Sequence, residues 1–450
     1  MATETPAPGT ATGTLARRGH RGRPHPLRRV NRFLRVLGPG LITGAADDDP
    51  SGIGTYSQAG AGYGFGTLWV ALYVLPLVIA VQEMCGRIGL VTGQGIAGVV
   101  RAHYSRSVLY VAVLLLFVAN TINVGADLGA MAASVQQLIP GVPFLPLLVV
   151  FAVGILALEV FVPYRYYARV LKFLTLSLLA YVVTGIIIAP DWRHLLMATL
   201  VPTIHLTPGF IALLVALLGT TISPYLFFWQ ASEEVEEVEA RHRQPRGTDA
   251  PRQRDALRKQ IRALRLDTVF GLVAASVTFW FIVMTAGATL HPAGITTIAS
   301  ADEAARALRP LAGPFAQQLF ALGIVGTGLL AVPVLAGSAA YGIAEAAGWR
   351  EGLAQRVDHA KGFYAVIALA TLIGLALNLL GINPIAALVY SAVLNGIVAV
   401  PLLALILLVA NNRAVMGAHT NGWLANALGI LTAALMGVAG VVTIVTLFIH

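Results

Sequence analysis

The sequence predicts an all-α integral membrane protein with about eleven transmembrane helices, of which the first and the sixth are broken. The chain is 57% hydrophobic and only 11% charged, with a mean hydropathy of +0.77. Soluble domains carry about 25% charged residues, so most of this chain must lie in lipid. Two apolar segments are interrupted, one by Asp47-Asp48-Asp49-Pro50 and the other by Ser223-Pro224-Tyr225.

A membrane-spanning helix needs about 20 mostly apolar residues. The segments that meet this requirement are residues 34–60, 66–86, 107–137, 143–161, 168–189, 208–238, 265–290, 314–345, 362–380, 384–410 and 422–448. Four of these segments, the first, third, sixth and eighth, are longer than necessary, so tilt or a break must absorb the excess. Residues 1–32 are polar and rich in Pro, Gly and Arg, and we expect a disordered cytoplasmic tail there.

The distribution of Lys and Arg predicts the orientation. If the basic tail is cytoplasmic and eleven spans alternate, 27 of the 30 Lys and Arg lie in the cytoplasmic tail and loops, and only Arg193, Arg306 and Arg309 face outward. The prediction is a multi-pass protein of the cell membrane with a cytoplasmic N-terminus and an extracytoplasmic C-terminus. The net charge of +9 therefore indicates contact with the lipid bilayer and not with nucleic acid. No cofactor and no protein partner is implied, and the single Cys85 excludes an internal disulfide.

Both interruptions have the chemistry of a broken membrane helix. Pro50 removes a backbone donor, and Gly52 lets the interrupted backbone bend. Carboxylates inside an apolar segment cost several kcal/mol unless other groups compensate them, and they usually mark an ion pathway. The two breaks lie five spans apart, and because five is odd the two halves run in opposite directions. This pattern is typical of an inverted repeat with a cation site between its two broken helices.

Several motifs resemble the Nramp family of divalent-metal transporters. They are Gly38-Pro39-Gly40 ahead of the first break, Tyr63–Val70, Gly86–Gln94 after the second span, Ala126-Asp127-Leu128 in the third, and Thr220–Tyr225 at the second break. The resemblance implies a LeuT-type fold, a 5+5 inverted repeat with one extra helix. Its parts would be residues 33–190, 207–411 and 422–449. It also implies secondary transport of a divalent metal ion and no enzymatic activity.

The sequence departs from the family at both breaks. The family motif Asp-Pro-Gly-Asn is replaced by Asp49-Pro50-Ser51-Gly52, and Met-Pro-His is replaced by Ser223-Pro224-Tyr225. A thioether favours transition metals, whereas oxygen ligands favour hard cations. The smaller serine also leaves room for retained water, which Mg²⁺ releases reluctantly. The pattern resembles the Nramp-related branch that carries Mg²⁺ or Mn²⁺, and we expect these ions in preference to Fe²⁺.

We predict that Asp49 is a direct metal ligand, and that Ser223 and Thr220 supply hydroxyl or carbonyl oxygen. Asp48 is assigned either to the site or to its vestibule, and Asp47 to hydrogen bonding with nearby backbone. Gly52 stands where the family has its asparagine ligand. Proton coupling is left open, because Tyr225 and Gln230 occupy the family's histidine positions.

Other polar residues in the spans are candidates for the pathway or for support of the site. Asn120, Asn123 and Asp127 recur at spacings of three and four, so they share one helical face. This polar stripe of three side chains has two possible roles: it lines the ion pathway, or it forms structural hydrogen bonds. Glu83 is expected to support the first helix, and Asn395 to reach the site from the tenth. The acids after span six, Glu233 to Glu239, are expected to form a solvated cluster, with Glu233 and Glu234 nearest an inner gate.

Two rival functions remain. A transporter of the same fold could carry an organic solute with Na⁺, although the carboxylates at the first break argue against a carboxylate-bearing substrate. A membrane aspartyl protease would need two facing carboxylates, for which Asp49 and Asp127 are the available pair. No two histidines inside a span are spaced i, i+4, so a zinc enzyme site is not predicted.

Overall fold

A computed structural model describes residue 44 and residues 46–139, 141–162, 174–188, 191–242, 250–353 and 355–449. All regular elements within these residues are helical. The predicted tail, residues 1–32, lies outside the described part of the chain, as do the first residues of the predicted first span.

The helices follow one another along the whole described chain. In order they are α1 (Pro50–Tyr63), α2 (Leu68–Thr92), α3 (Ile96–His103), α4 (Arg106–Leu138), α5 (Phe144–Phe161), α6 (Leu179–Ile188), α7 (Trp192–Leu200), α8 (Pro208–Thr221), α9 (Pro224–His242), α10 (Ala250–Thr289), α11 (Ala301–Ala305), α12 (Arg309–Ala312), α13 (Ala316–Ala347), α14 (Lys361–Leu377), α15 (Pro384–Asn411), α16 (Arg413–Met416) and α17 (Trp423–Ile449). Short 3-10 turns stand at Leu174–Leu178, Arg306–Leu308, Gly313–Phe315, Asn378–Leu380 and Gly417–His419.

Within the described residues, nine helical segments are long and apolar enough to cross a membrane. They correspond to nine of the eleven predicted spans. The other two predictions, residues 34–60 and 168–189, fall partly outside the described residues. The all-helical membrane architecture predicted from composition is thereby confirmed.

The first span is interrupted at the predicted position. The chain is helical at Ala46 and Asp47, leaves helical geometry at Asp48 and Asp49, and starts α1 at Pro50. Proline suits this first helical position because its missing N–H needs no partner there. Asp49 is the N-cap, with extended backbone geometry and a carboxylate that accepts from the N–H of Gly52. Residues 47–50 therefore end the first helical part of the span and start α1.

The sixth span is also broken as predicted. Helix α8 ends at Thr221, Ile222 and Ser223 are non-helical, and α9 starts at Pro224. The two breaks face each other, since Ser51 and Tyr56 on α1 contact Thr220 and Thr221 at the end of α8. Around them, α1 packs against α10 and α15, while the long helices α4 and α13 lie side by side.

Two differences from the predicted segments concern the ends of spans. Helix α10 starts at Ala250, well before the predicted residue 265, so part of the basic segment continues the helix. The predicted loop after the second span contains α3, whose apolar residues Ile96, Ala97, Val99 and Val100 are buried. An apolar face of this kind stabilises a short helix by packing and not by its intrinsic propensity.

Candidate functional site

Asp49 lies at the centre of the candidate site with only part of its carboxylate engaged. Oδ1 accepts hydrogen bonds from Ser51 Oγ at 2.7 Å and from Gly52 N at 2.6 Å. The side chain is 1% exposed, and Oδ2 has no hydrogen-bond partner among the described residues. One oxygen therefore caps α1, while the other is buried and available. A buried oxygen without a partner requires a ligand, a proton or water.

The end of α8 lies directly opposite. The hydroxyl oxygens of Ser51 and Thr220 are 3.3 Å apart. Ser223 Oγ donates to the carbonyl oxygens of Gly219 at 2.8 Å and Thr220 at 2.6 Å. The serine hydroxyl thus closes the last turn of α8 with its proton, and its lone pairs remain the part that could accept from water or meet a cation. The predicted ligand roles of Ser223 and Thr220 stay predictions.

Tyr225 connects the two breaks. Its hydroxyl donates to the carbonyl oxygen of Ala46 at 2.8 Å, which ties the start of α9 to the residue before the acids. Its ring is buried. In addition, Tyr56 stacks on Phe279 of α10 with ring centroids 4.1 Å apart, and its hydroxyl lies 3.3 Å from Thr221 Oγ1. Sequence reasoning missed Tyr56, although its position two turns after Asp49 on one helix was an available signal.

Asp127 of α4 joins the site from a third direction. Its carboxylate lies in electrostatic contact with Asp49 and close to the backbone of Ser51. The side chain is fully buried, and neither oxygen has a hydrogen-bond partner among the described residues. The structure therefore brings together the two acids that the sequence places 78 positions apart. Spacing alone could not show this, because it depends on how α4 crosses α1.

Asp47 and Asp48 are buried beside Asp49. Each has one carboxylate oxygen without a hydrogen-bond partner in the described structure, and Asp48 interacts with Thr278 of α10. No described Lys, Arg or His forms an ion pair with Asp47, Asp48, Asp49 or Asp127. Several buried carboxylates without a basic partner are strongly unfavourable unless protons or cations neutralise them. The site is therefore suited to positive charge.

These buried carboxylates do not by themselves form a complete set of metal ligands. Among the described residues, no group of three or more His, Cys, Asp and Glu side chains is arranged to hold a metal ion. An ion at Asp49 would consequently need backbone, hydroxyl or water oxygens as well. Mixed, partly hydrated coordination is what hard divalent cations accept.

The polar stripe on α4 connects three helices. Asn120 Nδ2 donates to the carbonyl oxygen of Leu335 on α13 at 2.9 Å. Asn123 Nδ2 donates to Asn395 Oδ1 on α15 at 2.7 Å. Asn120 Oδ1, Asn123 Oδ1 and Asn395 Nδ2 have no partners within the described residues. Asn123 and Asn395, which sequence reasoning considered separately, thus meet inside the membrane region.

Two predicted residues lie elsewhere. Glu83 is engaged by two guanidinium groups, Arg265 Nε at 3.0 Å and Arg87 Nε at 3.5 Å. It joins α2 to the basic end of α10, where the two cations neutralise it, and its expected support of the first helix stays a prediction. Gln230 donates to Glu234 Oε1 one turn along α9, at 3.1 Å.

The expectation that the acids after span six form a solvated cluster is also corrected, because some of them are buried or hydrogen-bonded. Glu234 is buried, and Glu236 Oε1 accepts from Tyr341 Oη at 2.5 Å and Leu353 N at 2.9 Å.

Sequence reasoning also missed Glu159 of α5, which is buried with neither carboxylate oxygen bonded within the described residues. Its signal was that it is the only acid in the apolar segment 143–161.

Comparison with known proteins agrees with this geometry. A family model, "Nramp: Natural resistance-associated macrophage protein-like", matches residues 40–446. The chain is 27% identical over 307 residues to the divalent metal cation transporter MntH of Chromohalobacter salexigens, which covers 66% of this chain and 67% of that protein. It is 26% identical over 309 residues to the MntH of Deinococcus radiodurans, with 67% of each chain covered.

Solved structures show the same fold. The manganese transporter of Eremococcus coleocola superposes with a TM-score of 0.73 at 17% identity, covering 94% of this chain and 88% of that one. Mhp1 in its inward-facing conformation gives a TM-score of 0.53 at 14% identity, with 91% and 89% covered. At these identities the likeness establishes the LeuT-type fold, which confirms the predicted architecture.

Proposed function

Because this chain belongs to the Nramp family, we propose that it is a secondary transporter of divalent metal cations that favours Mg²⁺ or Mn²⁺ over Fe²⁺. The ion would bind between the two broken spans and be released by alternating access. The observation that carries the proposal is the cluster of four acids, Asp47, Asp48, Asp49 and Asp127, which are buried without a basic partner among the described residues. Relatives named as divalent metal cation transporters support the substrate class.

The preference for a hard cation is supported by the donor atoms around Asp49. The groups that meet there are the Asp49 carboxylate, the hydroxyls of Ser51 and Thr220, and the backbone oxygen of Thr220. Oxygen donors suit Mg²⁺ and Mn²⁺ better than a mixed oxygen and sulfur set does. Met131, one turn after Asp127 on α4, is buried and packs against Gly328 of α13, so we assign its thioether to the wall and not to the ligands.

The orientation is part of the proposal. The loops rich in Lys and Arg would face the cytoplasm, with the N-terminus inside and the C-terminus outside the cell membrane. Under this orientation the helical residues Ala46 and Asp47 lie on the cytoplasmic side of the site and α1 on the outer side. Import is then movement from the α1 side toward the α9 side.

The test is a series of flux measurements on the purified protein in lipid vesicles. Mg²⁺ uptake is measured alone and in competition with Mn²⁺, Ca²⁺ and Fe²⁺, each with and without a pH gradient. We expect Mg²⁺ or Mn²⁺ to be transported and Fe²⁺ to compete weakly. Failure of every divalent ion to move, with uptake of an organic solute driven by Na⁺, would replace this proposal by the solute transporter considered from the sequence.

A further inference from the structure

A cavity lies beside the turn at which α1 ends, away from the buried acids. It has a volume of about 750 Å³ and is bordered by the turn Tyr63–Gly66, by α7 and by the end of α10. Two of its lining residues are His194 on α7 and His291 just after α10. We call it the histidine pocket. Neither histidine has a role in the proposed transport site.

His291 is held in the orientation that suits a metal ligand. Its Nδ1 lies 2.8 Å from the carbonyl oxygen of Ala61. Since a carbonyl can only accept, Nδ1 carries the proton, and in the neutral ring Nε2 then carries a free lone pair. Metal-binding histidines are commonly fixed in this way, with the second ring nitrogen donating to a carbonyl.

The pocket also leaves room beside this nitrogen. Gly64 ends α1 with φ at +57°, a backbone conformation that residues other than glycine rarely adopt. A Cβ atom placed on Gly64 would lie 3.3 Å from His291 Cδ2 and 3.6 Å from Nε2. Glycine at this position therefore leaves the Cδ2–Nε2 edge of the His291 ring free of a neighbouring side chain from residue 64.

His194 borders the same turn. Its ring meets the ring of Phe65, the residue after Gly64, edge to face with centroids 5.8 Å apart. It is exposed, and the described structure assigns it no hydrogen bond. The two histidines thus approach one dipeptide, Gly64-Phe65, from α7 and from the turn after α10, and line one cavity.

We propose that the histidine pocket binds a borderline transition-metal cation, of the Zn²⁺ or Cu²⁺ class, through His194 and His291 together with water. Imidazole nitrogens favour such ions, whereas the oxygen donors around Asp49 favour hard ones. A bound ion would join α7 to the end of α10 beside the turn that ends α1. Alternating access needs helices around the site to move against each other. An ion that ties α7 to the end of α10 would therefore slow transport.

The first test measures binding, so that it does not depend on the proposed transport activity. Zn²⁺ is titrated calorimetrically into the purified full-length protein at pH 7.5 with excess Mg²⁺ present. We expect His194→Gln and His291→Gln each to weaken one Zn²⁺ site at least tenfold, and the double variant to abolish it. The matched control is His205→Gln, because His205 stacks on Tyr63 nearby but does not line the cavity. Unchanged Zn²⁺ affinity in the double variant overturns the proposal.

A second measurement needs no variant. Zn²⁺ should protect His194 and His291 of the wild-type protein from diethyl pyrocarbonate, read by peptide mass spectrometry, while His205 stays reactive. Equal modification with and without Zn²⁺ would contradict the site. In vesicles, Zn²⁺ should reduce flux of the transported ion at least threefold in the wild type and not in the double variant; an equal reduction in both would refute the slowing effect while leaving transport itself measurable.

Discussion

Tyr225 Oη donates a 2.8 Å hydrogen bond to the carbonyl oxygen of Ala46, so the start of one half-helix holds the end of the other. The bond crosses the candidate site and is fully buried. It satisfies a backbone carbonyl that a broken helix would otherwise leave without a partner in the membrane region. The two breaks are in this way one structural unit.

Removing this bond should loosen the unit without abolishing the fold. We expect Tyr225→Phe to lower the free energy of unfolding by about 1 kcal/mol, the usual net value of one hydrogen bond. Mg²⁺ flux should change with it, because the backbone at Ala46, next to the acids, loses its tie to α9. Thermal stability and Mg²⁺ flux are measured together. Tyr110→Phe, at an exposed position on α4, is the control and should leave both unchanged.

Asp49 has a structural and a proposed functional role, which two variants separate. Asp49→Asn keeps an N-cap for α1 but removes the charge, since asparagine caps helices as well as aspartate does. Asp49→Ala removes both and should cost about 1 kcal/mol more in stability. We expect flux to fall at least 100-fold in both variants while melting temperatures separate them. Undiminished flux in Asp49→Asn would contradict the assignment of Asp49 as ligand.

Ser223→Met tests the softness of the site. Adding a thioether at the second break should raise the competition of Mn²⁺ and Fe²⁺ against Mg²⁺ by about tenfold. The substitution also removes the hydroxyl proton that Ser223 shares between the carbonyl oxygens of Gly219 and Thr220 at the end of α8. Ser223→Ala is therefore the matched control, because it loses the same bonds and adds no sulfur. An identical ion profile in the two variants would count against the argument from ligand type.

Asn123 and Asn395 should be energetically coupled. Their side chains share a 2.7 Å hydrogen bond between α4 and α15. We expect a double-mutant cycle of Asn123→Ala and Asn395→Ala to give a coupling of about 0.6–1.7 kcal/mol, the range found for hydrogen bonds between membrane helices. Unfolding measurements on the wild type, both single variants and the double variant provide it. Additive effects would show that the bond contributes nothing.

Glu351, in the connection between α13 and α14, should make stability depend on pH. Burial, followed by the negative charges of Glu345, Glu236 and Glu239, raises its pKa from 4.5 to about 9. A carboxyl whose pKa is higher in the folded state favours folding below pH 4.5, and this contribution is lost progressively as pH rises to about 9. Glu351→Gln should therefore be more stable than the wild type at pH 8 and gain less at pH 5. Parallel melting curves across that pH range would refute this.

Much of the architecture was accessible from the sequence because lipid imposes a simple rule: apolar segments of sufficient length must be helices. Pro50 and Pro224 marked both breaks to the residue, since proline at a first helical position interrupts what precedes it. The start of α10 was missed because charged residues can extend a helix beyond the membrane, and no hydropathy pattern shows where such an extension begins.

The sequence by itself determined the membrane class, the positions of nine spans, the two interruptions and the presence of acids at the first one. Tertiary structure alone decided that Asp127 stands near Asp49, that Glu83 pairs with Arg265, and that Asn123 bonds to Asn395. The physical reason is that helix formation depends on local pattern and on the solvent around the chain. Which buried polar groups become partners depends instead on how the helices cross, and that is settled by packing among residues far apart in sequence.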